Sequence, residues 1–169
     1  MIPESIIQYL QSNNVPFERR PHLRAITAQA LAASLHVTGF QVAKTVILHA
    51  QDRQWLCVTS APDTLDLDRV AEVLGVESLR LANESEFADL FPQCEVGAEP
   101  PFGQLYGLPV VMDEHLRQAE RLWFRAGSHT EAIELRFQDF LNLEEPMLGN
   151  IVQDRPGEQA HAPMEAQPS

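Results

Sequence analysis

One ammonium group stands out chemically in this chain. Of its 12 Lys and Arg residues, only Lys44 is a lysine. It sits inside the β-branched apolar run Val42-Ala43-Lys44-Thr45-Val46-Ile47-Leu48. If the run is a strand, alternation puts Ala43, Thr45 and Ile47 on one face and Val42, Lys44, Val46 and Leu48 on the other. The ammonium then shares a face with three apolar neighbours. Burying it is costly unless it is paired or neutralised, so it must reach a cavity, a carboxylate or a sheet edge. Its long stem can equally carry it out to water.

Other candidate groups are fewer and softer. The loop 95–103 carries Gly97, Pro100, Pro101, Phe102 and Gly103. Prolines fix its backbone and glycines permit positive φ or close approach. Such a stiff loop can wall a pocket or merely connect two elements. His129, after Gly127 and Ser128 at a strand entrance, is the histidine best placed to face a cavity. A lone histidine there is also an ordinary structural residue. The six histidines, His22 among them, are scattered without metal-ligand spacing. Cys57 and Cys94 have neither metal spacing nor the density of a disulfide scaffold, and Cys57 reads as a buried free thiol. A glycine-rich phosphate loop, a Gly-x-Ser-x-Gly elbow and a His-Glu-x-x-His helix are all absent.

The elements that must position these groups follow from periodicity and caps. Residues 3–11 read as a short helix with Ile6, Ile7 and Leu10 on one face. Residues 15–19, with Pro16, read as an edge strand. Thr27 is the expected N-cap of an alanine-rich helix over 28–35. Asp52-Arg53 turns the lysine strand into a second one, making 42–59 a β-hairpin. Asp66 or Asp68 caps a helix ended by Gly75, and Asn83 caps another closed by Pro92. Strands follow at 79–81, 108–112 and 132–135, with 122–125 leading into the Gly-Ser-His turn. A short helix fits 113–118 and a last helical turn or two fits 137–141. This interleaving has no regular βαβ rhythm. It predicts an α+β fold with a curved, barrel-like mixed sheet and surrounding short helices, in a single domain over 1–153. From Asp154 the chain is polar, proline-bearing and aperiodic, so 154–169 reads as a disordered tail.

Composition narrows the setting. The 169 residues are 44% hydrophobic and 21% charged, an ordinary globular mix. No apolar run approaches a bilayer span and the start lacks a signal-peptide core, which points to the cytoplasm and away from membranes. A net charge of -12 argues against general nucleic-acid binding, DNA included. The charge is uneven, however. Residues 1–55 hold five basic and three acidic residues, against seven and 21 in the remainder. A polyanion should therefore meet the N-terminal third, with Arg19, Arg20 and Arg24 as its first contacts. Three arginines also suit a plain solvated surface.

In their order, these pieces resemble the YbaK/prolyl-tRNA-synthetase-associated editing domain family over about residues 1–150. The resemblance rests on Pro21-His22 before a Thr-capped helix, the Lys44-Thr45 strand, Gly97-x-x-x-Pro101-Phe102-Gly103, and Gly127-Ser128-His129. It implies an α+β fold and metal-free, cofactor-free hydrolysis of wrongly aminoacylated tRNA. The standalone members act in trans on small amino acids such as alanine or cysteine attached to tRNA-Pro, which makes prolyl-tRNA synthetase a possible partner. Lys44 matches the family's essential lysine, whose cation can polarise the aminoacyl group in a water-poor pocket. Gly97 and Gly103 match the pocket-walling loop, whose amides can act as oxyanion donors. Thr45, His22, Phe102, Gly127, Ser128 and His129 match the substrate-binding positions. In that family the substrate's own ribose hydroxyl places the attacking water, so no hydrolase triad is required. Two rivals stand beside this reading. One is a non-catalytic module with the same fold that binds an amino acid, a nucleotide or a partner. The other is an adaptor that binds tRNA or a synthetase through the N-terminal arginines.

Overall fold

The computed structural model describes residues 1–155. Among the described residues, five α-helices form: α1 Glu4–Ser12, α2 Ala28–Leu35, α3 Leu67–Leu74, α4 Glu84–Phe87 and α5 Phe137–Glu144. The Thr27 hydroxyl accepts from the Ala30 amide at 3.0 Å, opening α2. Asp66, rather than Asp68, opens α3, accepting from the amides of Asp68 and Arg69 at 3.0 and 3.2 Å. Gly75 closes it with φ +71°, a conformation that suits a residue without Cβ.

Eight strands among the described residues make two sheets. β1 Glu18–Pro21, β7 Glu131–Arg136 and β6 Arg121–Arg125 lie antiparallel in the order β1-β7-β6. β2 Ala43–Ala50, β3 Arg53–Ser60, β4 Arg80–Leu81, β5 Val110–Asp113 and β8 Met147–Gly149 form a mixed sheet in the order β4-β2-β3-β5-β8. Its β4-β2-β3 part is antiparallel, and β3-β5-β8 is parallel. The expected hairpin is present, with its turn at Gln51-Asp52, φ 54° and 60°. Two positive φ values match the right-handed twist of the flanking strands. β1 starts two residues past Pro16, whose missing amide cannot join the ladder.

The α+β single domain and its mixed sheet are as the sequence predicts. Barrel closure is not: the two sheets meet at one isolated parallel bridge, Val42 to Trp123. The described residues form three apolar clusters. The largest lies between the sheets and includes Ala43, Ile47, Phe102, Phe124 and Ile133. A second packs α2 on Val42, Ala61 and Trp123. A third sets α3 on Leu48, Cys57 and Val111. Cys57 and Cys94 are both free thiols, Cys57 buried. No described helix is long and apolar enough to cross a membrane.

The end of the described chain is engaged. Asp154, which sequence reading places in the tail, pairs with Arg69 at 2.9 Å, and Arg155 pairs with Asp63 at 2.7 Å. The rest of the expected tail, 156–169, lies outside the described residues.

Candidate active site

Lys44 is half-buried on β2, pointing away from the main core as alternation requires. Its ammonium donates to the backbone carbonyls of Asp63, at 2.6 Å, and Ala61, at 3.3 Å. Both acceptors belong to the loop that follows β3. Two of the three ammonium donors are thereby used, and both on neutral oxygens. Burial lowers the lysine pKa, opposed by the charge of Asp63. A cleft of about 310 Å³ borders Lys44, lined otherwise by Val46, Thr64, Leu65, Leu67 and Leu81. Thr45, expected beside it in the site, belongs to the opposite face of β2, with Ala43 and Ile47 of the main core.

The Asp63 carboxylate does not reach Lys44 by any described hydrogen bond. It is 4% exposed and accepts from the Ser60 hydroxyl at 2.8 Å and from Arg155 at 2.9 and 2.7 Å. Burial pushes its pKa up. The bonds from Arg155 and Ser60, with the charges of Arg155 and His115, outweigh this and hold it below the usual range. Neither Asp63 nor Arg155 stands out in the sequence. The only signal was a Ser60-Ala61-Pro62-Asp63 turn just past a strand.

The Gly97 loop and the Gly-Ser-His turn come together, as a clasp. The Gly127 amide donates to Ala98 O at 2.7 Å, and Gly127 O accepts from the Glu95 amide at 3.0 Å. Glu95 also accepts from the His129 amide at 2.7 Å and from Arg24 at 3.3 Å. The His129 ring is 3% exposed, with Nδ1 3.2 Å from Ala25 O and Nε2 2.8 Å from Val96 O. Carbonyl oxygens only accept, so a neutral imidazole can donate to one of the two. His129 therefore ties three segments together rather than facing a cavity as sequence suggests. Ser128 is fully buried, and its hydroxyl accepts from the N-terminal ammonium of Met1 at 3.2 Å.

Several expected site residues are packed or hydrogen-bonded internally. Phe102 is fully buried in the main core, 5.1 Å edge-on from Phe124 and 5.6 Å from Tyr9. An aromatic beside two prolines is drawn into the core by its apolar area. A Cβ on Gly103 would collide with Val110 and with the Leu108 carbonyl, so this glycine serves close packing. The Gly97 amide donates to Glu99 at 3.0 Å, which removes it as an oxyanion donor. His22 holds the Leu23 carbonyl with Nδ1 at 2.6 Å, and its buried Nε2 has no protein partner.

The three N-terminal arginines remain near the surface, but each has an internal partner. Arg19 pairs with Glu131 at 3.1 Å and Arg24 with Glu95 at 3.3 Å. Arg20 reaches Leu35 O at 3.3 Å and covers the Trp123 ring at 4.6 Å. Sequence reading passed over Arg125, two residues beyond the bridging Trp123, as Lys44 is two beyond the bridging Val42. Its Nη1 donates to Gly97 O at 3.0 Å, while Nε and Nη2 are buried without a protein partner. Burial lowers its pKa, opposed by Glu99.

Comparison with known proteins places this geometry. The family model for the aminoacyl-tRNA editing domain matches residues 22–143. No curated protein matches the chain. Among solved structures, one described as a candidate trans-editing enzyme for prolyl tRNA synthetase is similar with a TM-score of 0.77 at 20% identity, over 91% of this chain and 99% of that one. The hypothetical protein APE2540 gives 0.80 at 17% identity, over 88% and 99%. A candidate signal transduction protein from Marinobacter aquaeolei VT8 gives 0.73 at 19% identity, over 93% of this chain but 32% of that one. At these identities the likeness is one of fold.

Proposed function

We propose, from the premise that this chain belongs to the aminoacyl-tRNA editing domain family, that it is a trans-acting aminoacyl-tRNA deacylase. Its substrate is a small amino acid such as alanine or cysteine esterified to the wrong tRNA, tRNA-Pro above all. It works in the cytoplasm, with prolyl-tRNA synthetase as a partner that can hand over the tRNA. Editing of this kind is needed because a synthetase pocket sized for one amino acid rejects a smaller one poorly.

The observation that carries this reading is the state of Lys44. Its ammonium rests on two carbonyls beside a cleft, with no carboxylate hydrogen-bonded to it among the described residues. One of its donors is left over for a substrate oxygen. A cleft of about 310 Å³ is at the small end of ligand pockets, in keeping with a small aminoacyl group. In such a half-buried place a fixed cation stabilises the oxyanion of the tetrahedral intermediate better than in bulk water. The terminal ribose hydroxyl of the tRNA positions the water, and Lys44 holds the ester carbonyl.

Incubating the pure protein with a panel of mischarged tRNAs tests this. Release of alanine or cysteine from tRNA-Pro, with correctly charged prolyl-tRNA left intact, is the expected result. Binding without release from any member of the panel would overturn the enzymatic reading and leave a binding module.

A further inference from the structure

The C-terminal segment is fastened to the loop on which Lys44 rests. Val152 bridges Leu65, the Gln153 amide donates to Thr64 O at 2.8 Å, and the Asp66 amide donates to Ile151 O at 2.9 Å. Arg69 secures the same segment through the Val152 carbonyl and Asp154. This brings Arg155 across 92 residues to Asp63, with Nε 2.9 Å from Oδ1 and Nη2 2.7 Å from Oδ2. The guanidinium also lies 4.4 Å from the Phe40 ring centre. A two-point Arg–carboxylate fork fixes orientation as well as charge. The backbone carbonyl of that same Asp63 is the closer of the two that hold the ammonium.

We propose that Arg155 is a positioning residue for Lys44: its fork keeps the Asp63 carboxylate turned away from the ammonium and the Asp63 carbonyl turned toward it. This rests on the reading that Lys44 acts on the substrate. The physical issue is competition. Asp63 is the carboxylate closest in chain connection to the carbonyls that Lys44 uses, and its charge acts on the lysine. Left alone, a buried carboxylate beside an ammonium forms an ion pair with it. The pair would neutralise the cation and hold it off the substrate. Arg155 prevents this because a planar fork matches both carboxylate oxygens, which a single ammonium cannot do.

The experiment compares Arg155→Gln, Asp63→Asn, the double variant of the two, and Lys44→Ala. Single-turnover hydrolysis of alanyl-tRNA-Pro is followed over a range of enzyme concentrations. Arg155→Gln should slow the saturated rate about tenfold with the half-saturation point little changed. In the double variant most of that loss should return, since no carboxylate is left to capture the ammonium. A residue of merely structural importance would not be rescued by a second change. Where Lys44→Ala is slow, absence of rescue, or a full rate in Arg155→Gln, overturns the proposal. The double variant leaves no carboxylate stripped of its guanidinium, so it stays testable if Arg155→Gln alone does not fold. A double variant as slow as Lys44→Ala would again be contrary. Because Lys44 is the only lysine, isotopically labelled lysine gives one side-chain NMR signal, independent of activity. That signal should move in Arg155→Gln and return toward the parent position in the double variant. If Lys44→Ala hydrolyses as fast as the parent while the signal behaves as stated, the catalytic reading fails and the brace stands. If the signal is unmoved, the brace fails whatever the rates.

Discussion

Two regions that bury ionisable groups treat them differently. Glu144 on α5 is 3% exposed. One of its carboxylate oxygens accepts from the Tyr9 hydroxyl at 2.6 Å, the other from the Gln104 amide at 3.0 Å. Its backbone carbonyl accepts from the Gln104 side chain at 3.1 Å. Every group is matched, and the result ties α1, the Gly103–Tyr106 turn and α5 together. Lys44 is less deeply buried, rests on two neutral carbonyls and borders a cleft. Satisfied on all sides, a buried charge is scaffold. With a donor left over beside open space, it is free to meet a ligand.

The comparison can be broken most sharply at Lys44. Lys44→Arg should lose about 100-fold or more in deacylation, the scale for one misplaced charge-stabilising donor, because a planar fork does not set its charge where a compact ammonium does. Lys44→Met should lose as much while its melting temperature holds or rises. The sign follows from burial. A lysine whose folded pKa is lowered binds its proton less well when folded, so the protonated side chain opposes folding at neutral pH. Thermal melts set beside single-turnover rates check both halves.

Glu144 should behave in the opposite way. Glu144→Ala leaves the Tyr9 and Gln104 donors unmatched and should cost about 1–3 kcal/mol, with the rate per folded molecule unchanged. Burial raises the Glu144 pKa, opposed by the bonds from Gln104 and Tyr9. A raised carboxyl pKa contributes stability below the ordinary glutamate range and loses it as pH rises through the folded value. Glu144→Gln should therefore flatten the dependence of melting temperature on pH, and an unchanged profile would contradict this account.

Smaller effects sharpen the picture. Gly127 has φ +82°, and a Cβ there would come within 2.7 Å of Pro3 and 3.1 Å of the Cys94 sulfur. Gly127→Ala should cost about 1 kcal/mol or more, loosening the clasp, as denaturant melts would register. Smallest of all, the Arg19→Gln, Arg24→Gln pair should raise KM for charged tRNA a few-fold with kcat nearly intact. Few phosphates are within reach of so acidic a chain, so log affinity should fall with log salt on a slope of roughly -2. A steep slope would place the tRNA on another face.

What could be read from sequence divides along the range of the interactions. Thr27, Gly75 and the 42–59 hairpin are local devices, fixed by caps, positive φ and period-two alternation, and they lie where spacing puts them. Lys44 was visible for a similar reason, as a charge inside an apolar strand. Asp63 and Arg155 were not, since their pairing exists only after β3, α3 and the C-terminal segment have docked. Residue order alone cannot show that Phe102 leaves its proline loop for the core, because loop chemistry and burial compete and burial prevails. β8 is too short to show a period of two, its three residues gaining a sheet only by pairing with β5.

The central claim is that the half-buried ammonium of Lys44 does chemistry. The most direct measurement is a single-turnover time course of alanyl-tRNA-Pro with enzyme in excess, parent and Lys44→Ala side by side, each confirmed as folded. The account predicts first-order release of alanine by the parent and decay near the spontaneous rate with the variant. Equal release by both proteins would contradict it.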